Sequence, residues 1–386
     1  MPYRKTALVV TAIIAVSTLF LVACKKNNDI VATDPWADVL NLPSQPYNYS
    51  NITLPAYLST PNINGQNNTP ANNQITDWGA TLGRVIFYDK NVSLNKTISC
   101  ASCHPQSTAF SDNLALSKGF LGGNTGRNSM VLTNARFYPN GRYFWDERAN
   151  TLEIQTLLPI QDHIEMGMHL DTLVNRFKNL NYYPSLFTKA FGDATVNSDR
   201  ISRSLSQFIR SIVSYESKYD AGRATLPVNA APPTFNFPNF TAQENRGMQL
   251  FFTPQLACAG CHGTETFTAA TAKHNGLDAT TTDRGFGAAT NSILNDGKFK
   301  VPSLRNVELT SPYMHDGRFA TLEQVVEHYN SGLKNHPNLD PALKQPNGLP
   351  KQLNLTVADK AALVAFLKTL TDTKMTTDVK YSNPFK

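Results

Sequence analysis

Four of the five cysteines fall into two copies of one pattern, Cys100-Ala101-Ser102-Cys103-His104 and Cys258-Ala259-Gly260-Cys261-His262. Two thiols about one helical turn apart can form thioethers to the two vinyl groups of a haem while the following histidine reaches the iron. Each segment is therefore a c-type haem attachment sequence. A zinc site needs four ligands and each cluster offers three; a redox Cys-x-x-Cys leaves the adjacent histidine unexplained, twice.

The fifth cysteine belongs to an address. Arg4 and Lys5 precede an apolar run from Ala7 to Val22, 16 residues long, which is short of the roughly 20 needed to span a bilayer. Leu21-Val22-Ala23-Cys24 ends that run as a bacterial lipoprotein signal does, so Cys24 is the expected lipidation site and residues 1–23 the expected signal peptide. Export agrees with covalent haem, which is attached outside the cytoplasm. The expected location is the bacterial envelope, lipid-anchored and facing the periplasm.

The 386 residues carry 35 Lys+Arg against 29 Asp+Glu, a formal charge of +6, and 41% hydrophobic side chains. That is enough apolar material for one large or two medium cores, and it excludes collagen-like and disordered chains. Removing residues 1–23 takes Arg4 and Lys5 with it and leaves 33 cations against 29 anions. No basic run is interleaved with aromatics, so no nucleic-acid groove is expected.

The elements that must hold the two haem segments can be read from pattern. Residues 59–74, without charge and nearly without apolar side chains, predict a flexible stalk, making 24–75 a tether. Thr76 then opens a helix whose Trp78, Leu82, Val85 and Ile86 share one face. The halves repeat. Gly83-Arg84-Val85-Ile86-Phe87-Tyr88 echoes Gly247-Met248-Gln249-Leu250-Phe251-Phe252. Trp145-Asp146-Glu147-Arg148 and the residues after it echo His315-Asp316-Gly317-Arg318, and closing helices are expected over 201–214 and 357–370. A mainly α fold of two cytochrome c-like domains, 76–225 and 240–372, is predicted, with the proline-rich 226–240 between them.

With these motifs the chain resembles the bacterial di-haem cytochrome c peroxidase family, which includes the MauG oxidases, over roughly residues 76–372. The likeness rests on both haem motifs, on Phe144-Trp145-Asp146, on Phe299-Lys300-Val301-Pro302-Ser303-Leu304-Arg305-Asn306, and on Pro312-Tyr313-Met314-His315-Asp316-Gly317. It implies that the first haem reacts with peroxide, the second relays electrons, and Trp145 lies between them. Peroxide cleavage needs a group that moves a proton from the inner to the outer oxygen. Glu165 and Gln155, 20 and 10 residues after Trp145, match the family's distal glutamate and glutamine; His163 is the competing base. Asn128, Thr310 and Pro312 match the family's calcium ligands, with Met130 departing from the usual proline and two extra residues before Trp145.

Two further departures bear on subtype. Family members often block the first iron with a loop histidine, but none occurs between His104 and His163, and the loop position holds Phe120. The usual methionine ligand of the second haem, 14 residues after the His-Asp-Gly histidine, is Tyr329, the MauG-like pattern; Met314 and His328 compete for the place. The expected function is reduction of hydrogen peroxide with electrons from a small donor, a cytochrome c or cupredoxin. A MauG-like oxidase of a protein or organic substrate and a plain electron carrier are the alternatives. A homodimer is compatible with the resemblance.

Overall fold

Helix starts are set by side-chain caps. A computed structural model describes Met1, residues 34–230 and residues 236–386; Cys24 and, but for Met1, the expected signal peptide lie outside the described residues. Six helices carry the architecture: α1 (Asp77–Tyr88), α2 (Leu152–Gln161), α3 (Ser198–Ser211), α4 (Ala242–Phe252), α5 (Leu322–Glu327) and α6 (Val357–Lys368). Thr76, Thr151, Asn197, Thr241, Thr321 and Thr356 each accept an amide from the first turn, satisfying donors that the helix leaves unpaired. Among the described residues there is no sheet, only isolated bridges.

The repeat seen in sequence is a repeat of packing. Helix α1 lies against α3, and α4 lies against α6. Each crossing is made at a glycine. A Cβ on Gly83 would come 1.9 Å from the Ser204 carbonyl oxygen, and one on Gly247 would come 1.9 Å from that of Ala362. Only hydrogen at these positions lets the helices meet so closely. Helix α3 turns Ile201, Leu205, Phe208 and Ile209 inward on the i, i+4, i+7, i+8 face, all buried. It begins at Ser198 and ends at Ser211, earlier than the expected 201–214, because Asn197 caps it.

Two apolar cores result. One runs from Trp36 to Ile212 and takes in Met375 and Tyr381; the other runs from Tyr219 to Leu370. Tyr219 already belongs to the second core, ahead of the 226–240 segment read as the boundary, and Phe237 and Phe240 of that segment are buried in it. Residues 373–386, left outside both expected domains, return to the first core, where the Tyr381 hydroxyl donates to the Ser211 carbonyl at 2.8 Å and Leu40 bridges Phe385.

The tether expectation is corrected by the described residues. Tyr57, Leu58 and Ile63 are buried with Phe137 and Val213. Asn73 is bonded to Glu153 (2.7 Å) and Gln207 (2.8 Å), Asn68 to Tyr143 (2.9 Å) and Arg210 (3.1 Å), and Gln66 accepts from Thr266 (3.0 Å). The segment docks through amide side chains that satisfy buried polar groups, a mode of burial that a count of apolar residues misses. Tyr57 also donates to Asp220 (2.7 Å), which is paired with the fully buried Arg305 (2.9 Å).

Candidate active site

Each haem motif forms a short helical turn, Cys100–Cys103 and Cys258–His262. The four thiols are free and partly buried, and burial pushes Cys100 and Cys258 up to about 12 and Cys103 to about 11. The histidines are oriented alike: His104 Nδ1 lies 2.9 Å from the Phe110 carbonyl oxygen and His262 Nδ1 2.8 Å from that of Phe267. A carbonyl can only accept, so Nδ1 carries the proton and the Nε2 lone pair is left for a metal. Burial lowers both histidines, His262 to about 4, which keeps the rings neutral. Phe110 and Phe267 reach these rings from left-handed backbone, φ 61° and 53°.

Each turn opens on a cavity, of about 450 Å³ at His104 and about 230 Å³ at His262. Glu165, Gln155 and Trp145 all line the first. Helix α2 supplies Gln155, and the turn after it supplies Glu165, whose amide is anchored on the Asp162 carboxylate at 3.0 Å. Glu165 is raised to about 7, first by burial and then by the Asp162 charge, with Arg148 opposing. His163 is exposed and lines neither cavity, as is His169. Phe120 does not line the cavity, and its amide donates to the Glu165 carbonyl (2.9 Å).

The second cavity is walled by Tyr329, Met314, His274 and a largely aliphatic shell from α5 and α6. Tyr329 sits in a π-helical turn, His328–Gly332, that extends α5, a departure from regular helix of the kind found at functional positions. Burial raises its hydroxyl. Met314 has φ 76°, the counterpart of Phe144 at 69°, and its sulfur accepts from the Asn275 amide at 3.4 Å. His328 is turned elsewhere, bonded to the Asn275 carbonyl at 3.0 Å, and does not line the cavity.

Trp145, Asn128 and Lys300 line both cavities. Trp145 Nε1 donates to the Asn128 carbonyl and its own carbonyl accepts from Lys300, both at 2.8 Å. Asn128, Thr310 and Pro312 each line the second cavity. The Asn128 amide nitrogen donates to the Leu114 and Ala115 carbonyls (3.0 and 3.3 Å), which turns its oxygen the other way. The sequence motifs included Lys300 without giving it a role, and gave none to Arg127 or Asn275.

Two partly buried Cys-x-x-Cys-His turns, each with a neutral histidine aimed into its own cavity and one tryptophan common to both cavities, define a two-site c-type haem protein. Comparison with known proteins agrees. The di-haem cytochrome c peroxidase profile matches residues 78–224. A methylamine utilization protein MauG from Methylorubrum extorquens is 33% identical over 78% of this chain and 80% of its own. A cytochrome c551 peroxidase from Nitrosomonas europaea is 31% identical over 64% and 71%. Among solved structures, a MauG-like protein associated with microbial copper homeostasis superposes with a TM-score of 0.70 at 31% identity, over 82% of this chain and 95% of that one. A di-haem peroxidase from Burkholderia thailandensis, at 23% identity and TM-score 0.64, shares the fold. The chain belongs to the di-haem cytochrome c peroxidase and MauG family, a family of haem oxidoreductases.

Proposed function

We propose that the protein reduces hydrogen peroxide to two waters, taking two electrons from a small donor and two protons from solvent. The observation that carries this reading is the placing of Glu165 beside Gln155 on the wall of the His104 cavity, where burial raises the carboxyl to about 7. The residues fit two haems: Cys100, Cys103 and His104 would hold one, Cys258, Cys261 and His262 the other. When bound, haem supplies the iron that binds peroxide and stores electrons.

The chain supplies the proton chemistry. The Glu165 carboxylate accepts the proton of the peroxide's inner oxygen and returns it to the outer one, which then leaves as water. Gln155 holds the peroxide by hydrogen bonding. Trp145, shared by the two cavities, carries electrons from the second to the first. Asn128, with the carbonyls of Thr310 and Pro312, offers oxygen donors suited to calcium. Cys24 carries the lipid that keeps the protein in the envelope, facing the periplasm, where a cytochrome c or cupredoxin donates.

Tyr329 on the second cavity wall favours a second reading, a MauG-like oxidase of a protein or organic substrate, because a phenolate stabilises ferric iron more than a thioether does. Stopped-flow mixing with peroxide, with and without reduced cytochrome c or azurin-like donor, separates the two. Donor-dependent turnover supports the peroxidase. A long-lived oxidised state indifferent to donor supports the oxidase. No reaction removes both and leaves a carrier.

A further inference from the structure

Arg127 takes no part in the chemistry above, yet it is bonded at both ends. Its Nη1 donates to Asp146, the neighbour of Trp145, at 2.7 Å. Its Nε and Nη2 donate to both oxygens of Asp283, at 2.7 and 2.8 Å. Asp283 belongs to the second half, 25 residues past Cys258, and is itself fixed by the Gly285 amide at 2.8 Å. The guanidinium also lies 5.7 Å from the centre of the Phe299 ring, which stacks on His315 at 3.8 Å.

The next residue repeats the arrangement. The Asn128 carbonyl accepts from the Trp145 indole, and its amide donates to the His315 carbonyl, each at 2.8 Å. Residues 127 and 128 thus fasten the tryptophan by its ring and by its backbone neighbour, and both fastenings run on to the second half. A planar guanidinium suits this task, since it can serve two carboxylates in fixed directions where an ammonium cannot. The pairs are partly shielded, with Arg127 at 20% and Asp146 at 9% side-chain exposure, so they are less screened than surface pairs.

We propose that Arg127 is a positioning residue for electron transfer: by bridging Asp146 and Asp283 it holds Trp145 in register with the second cavity. The proposal rests on Trp145 being the relay. The transfer it serves is one electron leaving the second site and arriving at the first, with no bond made or broken. Neither carboxylate bonds to Glu165 or Gln155, but Arg127 and Asp283 line the same cavity as that pair and Asp146 also holds Arg148 at 3.0 Å, so the peroxide phase is followed as the control.

The test uses the haem-loaded protein and follows two phases after mixing the reduced protein with peroxide: reaction at the first haem and oxidation of the second. In Arg127→Gln the first phase is expected within about twofold of wild type and the second slowed about ten- to a hundredfold, the scale of an ångström-sized misplacement of reacting groups. Asp283→Asn, which spares the Asp146 pair, should slow the same phase. The double variant should be no slower than Arg127→Gln, as expected for two groups acting as one unit. Arg127→Lys should recover only part of the rate. If Trp145→Phe slows the second phase while Arg127→Gln and Asp283→Asn do not, the proposal fails and the relay reading stands. If Trp145→Phe leaves that phase unchanged, both fail. Should Arg127→Gln not assemble, Asp283→Asn alone decides, a wild-type second phase overturning the proposal.

Discussion

Glu165 offers the sharpest test of the site. Its carboxyl is raised from an ordinary 4.5 to about 7 by burial and the Asp162 charge, which makes it a base matched to neutral pH. The carboxylate form performs the first proton transfer, so the rate of peroxide reaction should rise with pH and be half-maximal near 7. Glu165→Gln should flatten the profile and lower the rate by about 10²–10⁴-fold, the usual range for a lost acid/base. The same shift has a stability consequence. A carboxyl whose folded value is raised contributes stability that is fully present below its unfolded value and is lost as pH rises through about 7. The shift corresponds to at most about 3 kcal/mol, reduced by the solvent at the cavity rim. Urea melts should therefore show wild type losing ground to Glu165→Gln between acid and alkaline pH. A flat wild-type rate profile between about pH 5 and 9, or a glutamine variant reacting at the wild-type rate, would refute the assignment.

Pyridine haemochrome assay should give two haems per chain, neither extractable by acidified solvent, as the two Cys-x-x-Cys-His motifs imply. The oxidised protein should show a high-spin signal and react with peroxide without prior reduction, because His163 and His169 are exposed and Phe120 cannot ligate; a wholly low-spin spectrum contradicts this. Tyr329→Phe should change the second haem's ferric spectrum, whereas a near-infrared sulfur-to-iron band abolished by Met314→Leu would reassign the ligand to Met314. Gly247→Ala should destabilise by about 1–3 kcal/mol or more, read as a lower Tm, since its Cβ would meet the Ala362 carbonyl at 1.9 Å.

What sequence reasoning reached was chemistry fixed by local spacing. The haem turns and the helix opened by Thr76 depend on residues a few positions apart, and they stand where pattern put them. Candidate residues drawn from resemblance also share walls: Glu165 with Gln155, Tyr329 with Met314. What escaped depends on distant partners. Asn68 and Asn73 look like linker residues until Tyr143, Arg210 and Glu153 are brought beside them. The orientation of His328 is set by a carbonyl 53 residues away, and the π-turn that carries Tyr329 has no sequence signature.

The return of residues 373–386 to the first core has a consequence for biosynthesis. Met375 and Tyr381 complete the apolar cluster beneath the Cys100 turn, and Gln106, two residues past His104, donates to the carbonyls of Met375 and Asp378 at 2.9 Å. Domains ordinarily fold from the N-terminus as they emerge. Here the earlier half lacks part of its interior until the later half has been made, so assembly proceeds from both ends toward one structure. Truncation after Leu370 should leave the second core intact and loosen the first, the opposite of what position along the chain would suggest.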